Sequence, residues 1–247
     1  LSAILRQNLE FYADISSPVE LLVQSSIDII TGSENNFTIE DEQRKNLCYG
    51  IFDGYYQHID KSVIFDTSRH WTKKTNLLQA LFPYTKIICP VRDIVSILNS
   101  FEIILNKNCF HTKRINEKIF SDNIFLRSQE IFEREIIECY SYLQEGYLIN
   151  SEMIHFVEYE NLCKEPEKTM REVYKFIDKP YYPHNFENVK YSNESFDKAC
   201  NQKDLHTVKR KVEYKPPRCI LPKDIIKKYK EKNMEFWRDT KLNIKYR

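Results

Sequence analysis

Arg92 and Ser100 are the residues whose types and spacing first suggest chemistry. They lie in a strand-to-helix sequence, KIICPVRDIVSILNS, that runs from Lys86 to Ser100. A short run rich in β-branched residues precedes Arg92, and apolar residues recur at helical spacing after Asp93. An arginine at the carboxyl end of a parallel strand offers a planar fork of N–H donors that suits a phosphate. The sequence therefore predicts a phosphate site at this strand end.

A second polar cluster lies in the segment VIFDTSRHW, from Val63 to Trp71. Its apolar start predicts a strand, and the residues after it predict a helix from about Thr72 to Leu81. The polar residues between the two are Asp66, Ser68, Arg69 and His70. A neutral imidazole such as that of His70 suits proton abstraction near neutral pH, although a histidine after a strand also commonly caps a helix or lies on the surface.

The third segment is HFVEYENL, from His155 to Leu162, which is followed by EPEKTMREVYKFI. Phe156 and Val157 predict a short strand, and Pro166 is well placed in the first turn of a helix. Tyr159 follows the strand. A tyrosine there either contacts a ligand or packs against the strand end with its hydroxyl in water.

These three segments, taken in their order along the chain, resemble the sulfotransferases that use 3'-phosphoadenosine 5'-phosphosulfate (PAPS). In that family a strand-end arginine is followed eight positions later by a serine, as Arg92 is followed by Ser100. A Tyr-Glu-x-Leu sequence follows a late strand in the family, as it does here at Tyr159. The resemblance extends from Leu1 to about Ile177. It implies that Arg92 and Ser100 bind the 3'-phosphate and that Tyr159 lies near the nucleotide.

The resemblance also implies a long ordered loop that folds over the nucleotide, here within residues 179–222. This stretch contains the basic run VKRKVEYKPP. Arg210 and Lys215 are the residues of this run that we expect to contact phosphate. A solvated run of charges is the alternative interpretation.

Two residues are candidates for the general base that the resemblance implies. His70 lies 22 residues before Arg92, the interval at which small-molecule sulfotransferases carry their catalytic histidine. Glu20 is the rival, because protein-tyrosine and glycan sulfotransferases use a glutamate after the first helix, although here it falls a few residues later. Without a catalytic role, Glu20 is a first-turn glutamate favoured by its helix dipole. Thr67 stands where a lysine is common in the family.

Strands that alternate with helices predict an α/β fold, a three-layer parallel sheet with helices on both faces and right-handed crossovers. The resemblance makes this the P-loop NTPase-like sulfotransferase fold, and the length of 247 residues suits a single domain over residues 1–247. LSAILRQN, from Leu1 to Asn8, resembles the helix that follows the family's 5'-phosphosulfate loop, so we expect that loop upstream of Leu1. Such a loop binds its anion through backbone N–H groups.

Composition narrows the function classes. The formal net charge is +1, so no global field draws the chain to nucleic acid, and no apolar run approaches the length of a membrane span. Seven scattered cysteines without C-x-x-C spacing favour reduced thiols in a cytoplasmic protein. The six histidines have no metal-ligand spacing, so we predict no catalytic metal.

The resemblance implies in-line transfer of a sulfuryl group from PAPS, the co-substrate, to a hydroxyl or amine acceptor. The class of acceptor stays open among a peptide tyrosine, a sugar, a lipid and a small metabolite. One alternative is a nucleotide or small-molecule kinase of the P-loop type, which would require an upstream Walker lysine and a carboxylate that holds magnesium. The other is a non-catalytic binding module on the same fold.

Overall fold

The computed structural model describes residues 1–32, 34–106, 113–115, 118–191, 208, 210–216, 218–232 and 235–238. Helices and strands alternate along much of the chain, which confirms the α/β class. The strands are β1 (Phe11–Ala13), β2 (Val63–Phe65), β3 (Ile87–Val91), β4 (Arg114–Ile115), β5 (Lys118–Ile119) and β6 (Ile154–Glu158). The α-helices are α1 (Ser2–Leu5), α2 (Val19–Ile30), α3 (Asn35–Thr38), α4 (Asp41–Tyr56), α5 (Thr75–Leu81), α6 (Ile94–Asn106), α7 (Ile124–Ile131), α8 (Ile137–Ile149), α9 (Tyr159–Lys164), α10 (Pro166–Phe176) and α11 (Lys223–Lys230).

Two parallel strand pairs form the centre of the fold. β1 pairs with β2, and β3 pairs with β6, while β4 and β5 form a short antiparallel pair. The sequence predicts one parallel sheet in three layers, whereas the described residues form separate pairs. Sequence reasoning also missed β1, because its three residues are too few to show a periodicity.

The boundaries of the helices follow from local chemistry. Asp93 begins α6, since its Oδ1 accepts a hydrogen bond from the backbone N–H of Ser96 at 2.8 Å. Pro166 occupies the first turn of α10, as predicted. The helix predicted after Trp71 begins as a 3₁₀ turn, Trp71–Lys74, and continues as α5. A turn of π-helix, Phe132–Ile136, lies between α7 and α8.

Gly146 lets α8 pack closely on the 3₁₀ turn Trp71–Lys74. A Cβ added at this glycine would lie 2.7 Å from the backbone oxygen of Thr72. That is closer than a carbon and an oxygen can approach without displacement, so only glycine fits there. The close packing fixes the position of the turn that begins directly after His70.

Candidate functional site

The carboxyl ends of β3 and β6 hold the predicted phosphate-binding arginine. Val91 pairs with Glu158 in the parallel register, so Arg92 and Tyr159 are the residues that directly follow the two paired strands. The guanidinium carbon of Arg92 lies 4.2 Å from the centroid of the Tyr159 ring, a cation–π contact. Strand pairing therefore brings together two of the predicted site residues that are far apart in the sequence.

Arg92 also faces a carboxylate that sequence reasoning did not single out, that of Glu160. The Arg92 Nε and the Glu160 Oε1 are 3.5 Å apart, and the two side chains are 19% and 16% exposed. Within the described part of the chain, neither the Arg92 Nε nor the Glu160 Oε2 has a hydrogen-bond partner, although both atoms are buried. The site thus contains a partly buried cation whose donors are not all used, which suits the binding of an anion.

Ser100 lies on α6, the helix that begins just after Arg92. Its side chain is half-buried, as is that of Ser96 one turn earlier. Only two residues separate the end of β3 from the start of α6. The N-terminus of the helix, with its partial positive charge, therefore lies beside the carboxyl end of β3. The strand-to-helix geometry predicted for this segment is therefore present.

The two rival base candidates, His70 and Glu20, are in contact with each other. The His70 Nδ1 lies 3.5 Å from Glu20 Oε2. The other oxygen of Glu20 lies 3.7 Å from the Lys74 Nζ, which also donates a hydrogen bond to Gln24. Glu20 sits in the first turn of α2 and is buried. Lys74 of the 3₁₀ turn after His70 thus contacts two residues of this helix, and His70, Glu20 and Lys74 form one cluster.

Burial controls the charge of this cluster. It lowers the pKa of His70 below the ordinary 6.5, and the neighbouring Glu20 carboxylate opposes that shift without cancelling it. Burial likewise lowers the pKa of Lys74, with Glu20 again opposing. A histidine with a lowered pKa is neutral at physiological pH, which is the form that can accept a proton.

Asp66, which directly follows β2, holds several parts of the fold together through hydrogen bonds. It accepts hydrogen bonds of 2.5 Å from three donors, the Ser17 hydroxyl, the Tyr56 hydroxyl and the Trp71 indole N–H. Burial, followed by the hydrogen bond to Asp66, raises the pKa of Tyr56. These bonds tie β2 to α4 and to the segment before α2. The carboxylate of Asp66 is therefore occupied by the protein itself.

Arg69, from the same polar turn, forms an ion pair with Glu135. Its Nη2 lies 2.9 Å from Glu135 Oε2, and the Lys118 Nζ lies 2.6 Å from Oε1. Burial alone would raise the pKa of Glu135, but hydrogen bonds from Lys118 and Arg69 outweigh it and lower the pKa. Glu135 lies in the π-helical turn, where helical periodicity fails, so no sequence signal pointed to it.

Arg92 and the polar turn after β2 line the same cavity, which has a volume of about 1530 Å³. Its walls include all of β3, Phe65 of β2, residues 66–69 and Glu135. Aromatic side chains of α4, two leucines of α5 and residues 82–86, which follow α5, supply much of the remaining wall. The described lining includes Arg69 and Trp71 but not the intervening His70, whose side chain turns toward Glu20. The structure thus brings Arg92 and residues 66–69 to one cavity, with His70 beside it.

The two residues predicted to contact phosphate from the basic run, Arg210 and Lys215, lie on the surface. Arg210 is exposed and donates from Nε to Asn188 Oδ1 at 3.3 Å, and the Lys215 Nζ lies 2.5 Å from Glu213 Oε1. Between these two residues, the ring of Tyr214 receives the Lys164 ammonium at 4.6 Å. Lys164 ends α9, the helix that Tyr159 begins, so the loop runs beside the element that carries Tyr159. Neither Arg210 nor Lys215 is among the described residues of the cavity wall.

The described residues contain no group of three or more histidine, cysteine, aspartate or glutamate side chains placed to hold a metal ion. None of the helices they form is long and apolar enough to cross a membrane.

Residues 15–183 match the sulfotransferase family. This range contains Glu20, His70, Arg92, Ser100 and Tyr159. A solved sulfotransferase domain from the curacin biosynthetic pathway is similar over 74% of this chain and 70% of its own, with 15% sequence identity and a TM-score of 0.46. The comparison with curated proteins found no match. Because the family match spans more than half of the 247 residues, the chain belongs to the sulfotransferase family.

Proposed function

We propose that this protein transfers a sulfuryl group from PAPS to a hydroxyl or amine acceptor and releases adenosine 3',5'-bisphosphate. The observation that carries the proposal is the pair of Arg92 and Tyr159 at the carboxyl ends of two paired strands, in a chain of the sulfotransferase family. Ligands of open α/β sheets bind at this edge. A partly buried guanidinium with an unused donor fits a phosphate group, and the neighbouring aromatic ring fits a nucleoside.

In this proposal Arg92 and Ser100 hold the 3'-phosphate, and Tyr159 contacts the nucleotide. Arg210 and Lys215 contact phosphate when the basic loop, which already touches α9 through Tyr214, lies over the ligand. These residues fix the position of the donor, and position is the main requirement of an in-line transfer. PAPS supplies the sulfuryl group, which passes from a phosphate oxygen to the acceptor atom.

His70 and Glu20 then act together. His70 takes the proton of the acceptor hydroxyl or amine on Nε2, while Glu20 faces Nδ1 and stabilises the imidazolium that forms. Glu20 is buried and also faces Lys74, so it serves as the positioning carboxylate and His70 as the base. The contact between the two residues supports this division of roles.

The first test is calorimetric titration of the protein with adenosine 3',5'-bisphosphate and, separately, with ATP. We expect binding of the bisphosphate in preference to ATP. Arg92→Ala should weaken it by roughly 10- to 100-fold, the worth of hydrogen bonds to a charged group. Preference for ATP would instead favour the kinase, and bisphosphate binding without any transfer in an acceptor screen would favour the binding module.

Arg171→Ala is the matched control for this titration. Arg171 stacks on Tyr181 at 4.0 Å and pairs with Glu167, so it repeats the chemistry of Arg92 on the surface of α10. We expect its replacement to leave bisphosphate affinity unchanged. An equal loss in both variants would mean that Arg92 has no specific role.

A further inference from the structure

Arg92 and Glu160 form an ion pair without a hydrogen bond between the two side chains, and we call such a pair open. A donor, the Arg92 Nε, and an acceptor, the Glu160 Oε2, are both buried without a hydrogen-bond partner among the described residues. Buried polar atoms are almost always paired, because an unpaired one loses its hydration without compensation. Two such atoms on neighbouring side chains indicate a place for a third group that supplies both an acceptor and a donor.

A second arginine of the chain shows that the open arrangement is not forced by the aromatic contact. Arg171 stacks on Tyr181 at 4.0 Å and still donates to Glu167 from Nε at 3.1 Å and from Nη2 at 2.7 Å. Its ion pair is therefore closed by hydrogen bonds, and both side chains are exposed. Arg92 makes the same kind of stack on Tyr159, yet its Nε remains 3.5 Å from Glu160 and makes no hydrogen bond there.

We propose that Glu160 recognises a hydroxyl group next to the phosphate that Arg92 binds. In the nucleotide of the proposed function, on which this inference rests, that group is the ribose 2'-hydroxyl beside the 3'-phosphate. The phosphate offers the acceptor that the guanidinium lacks, and the hydroxyl offers the donor that the carboxylate lacks. Glu160 is therefore a specificity-determining residue that separates ribonucleotides from 2'-deoxyribonucleotides.

The charge of Glu160 determines which of the two ligands binds more tightly. A carboxylate close to a bound phosphate repels it, so Glu160 favours binding only when a donor lies between the two anions. A ligand without the hydroxyl leaves the buried carboxylate oxygen unpaired. We expect the 2'-deoxy ligand to bind about tenfold more weakly than the ribo ligand, the discrimination typical of one lost hydrogen bond to a charged acceptor.

The test compares adenosine 3',5'-bisphosphate with 2'-deoxyadenosine 3',5'-bisphosphate by calorimetry. It uses the unaltered protein, Glu160→Ala and Glu160→Gln. Discrimination should fall from about tenfold to about onefold in Glu160→Ala, because the acceptor is gone, and to an intermediate value in Glu160→Gln, whose amide oxygen is a weaker acceptor. The deoxy ligand should bind Glu160→Ala at least as tightly as it binds the unaltered protein, because the repulsion is gone.

Glu167→Ala, which removes the exposed carboxylate of the closed pair, is the control and should keep the full discrimination. Circular dichroism establishes whether each variant is folded. If Glu160→Ala does not fold, Glu160→Gln still provides the test. Equal affinity of the unaltered protein for the two ligands, or full discrimination retained in the folded Glu160 variants, would overturn the inference while leaving the proposed function in place. Failure of the unaltered protein to bind either ligand would instead overturn the proposed function, and this inference with it.

Discussion

His184 should make the stability of this protein depend on pH in a way that can be measured. The imidazole is only 9% exposed and lies among aromatic rings, with centroid distances of 5.5 Å to Tyr174, 5.2 Å to Tyr182 and 5.9 Å to Phe186. Burial lowers the pKa of His184 from 6.5 to about 4, and the backbone of Ile4 opposes this shift without cancelling it. The folded protein therefore holds a neutral imidazole at a pH where the unfolded chain is protonated.

The sign and size of the effect follow from linkage. As the pH falls below 6.5, the imidazole of His184 binds a proton in the unfolded state but not in the folded state, so the free energy of unfolding decreases. The decrease levels off below about pH 4, where the folded state binds the proton as well. At about 1.4 kcal/mol for each pH unit between the two pKa values, the total loss is at most roughly 3.5 kcal/mol, and partial access of solvent reduces it to about 2 kcal/mol.

Urea unfolding between pH 7.5 and pH 4.5, followed by circular dichroism, measures this loss. His184→Phe keeps a ring in the aromatic cluster and removes the titration, so its stability should fall less steeply with acid than that of the unaltered protein. His70 and His155 also have lowered pKa values, and their contribution is common to both proteins. His58→Gln, at an exposed histidine, is the control and should leave the slope unchanged. Identical slopes for His184→Phe and the unaltered protein would refute the reasoning.

Three further substitutions test the packing around the site, each by urea unfolding. Asp66→Asn removes the charge from an acceptor of three hydrogen bonds and should cost about 2–4 kcal/mol; a loss below about 0.5 kcal/mol would contradict the structural role of this carboxylate. Gly146→Ala should cost about 1–3 kcal/mol, because the new methyl group meets the Thr72 carbonyl; an unchanged stability would mean that α8 does not pack as described. Glu102→Gln leaves the buried Arg127 without its carboxylate partner and should cost about 3–5 kcal/mol. The double variant with Glu102→Leu and Arg127→Met should lose less than that single change, and a larger loss would show that the ion pair itself stabilises the fold.

One catalytic prediction concerns the pH profile of transfer, measured with any acceptor that the screen identifies. Glu20 raises the pKa of His70, so Glu20→Gln should move the acidic limb of the kcat/KM profile to lower pH and reduce the rate at neutral pH. His70→Ala should remove that limb and lower kcat by roughly 10²- to 10⁴-fold. A profile unaffected by His70→Ala would assign the base to another residue.

The sequence predicts those parts of the site that depend on local order. The change from strand to helix at Arg92 is visible because the spacing of apolar residues changes there, and Asp93 provides the helix start. The start of α10 at Pro166 is visible for a similar local reason. These features need no knowledge of which elements touch.

The pairings between residues depend on tertiary contacts that no local pattern encodes. The opposition of Arg92 and Glu160 follows from the register of β3 and β6, and the contact of His70 with Glu20 follows from the approach of the 3₁₀ turn to α2. Sequence reasoning therefore treated Glu20 and His70 as rivals, although they are neighbours. The role of Asp66 was hidden for the same reason, because two of its three donors, Ser17 and Tyr56, come from segments that are distant in the sequence.

The position of Trp71 gives the protein an optical probe of its own. The sequence contains two tryptophans, and Trp71 lines the cavity, stacks on Phe52 with ring centroids 5.6 Å apart and donates its indole N–H to Asp66. Indole emission responds to the polarity around the ring and to its hydrogen bond. With Trp237 replaced by phenylalanine, the remaining fluorescence would report directly on compounds that enter the cavity. Candidate acceptors could then be screened by a shift in the emission wavelength, before any product of the proposed reaction has been identified.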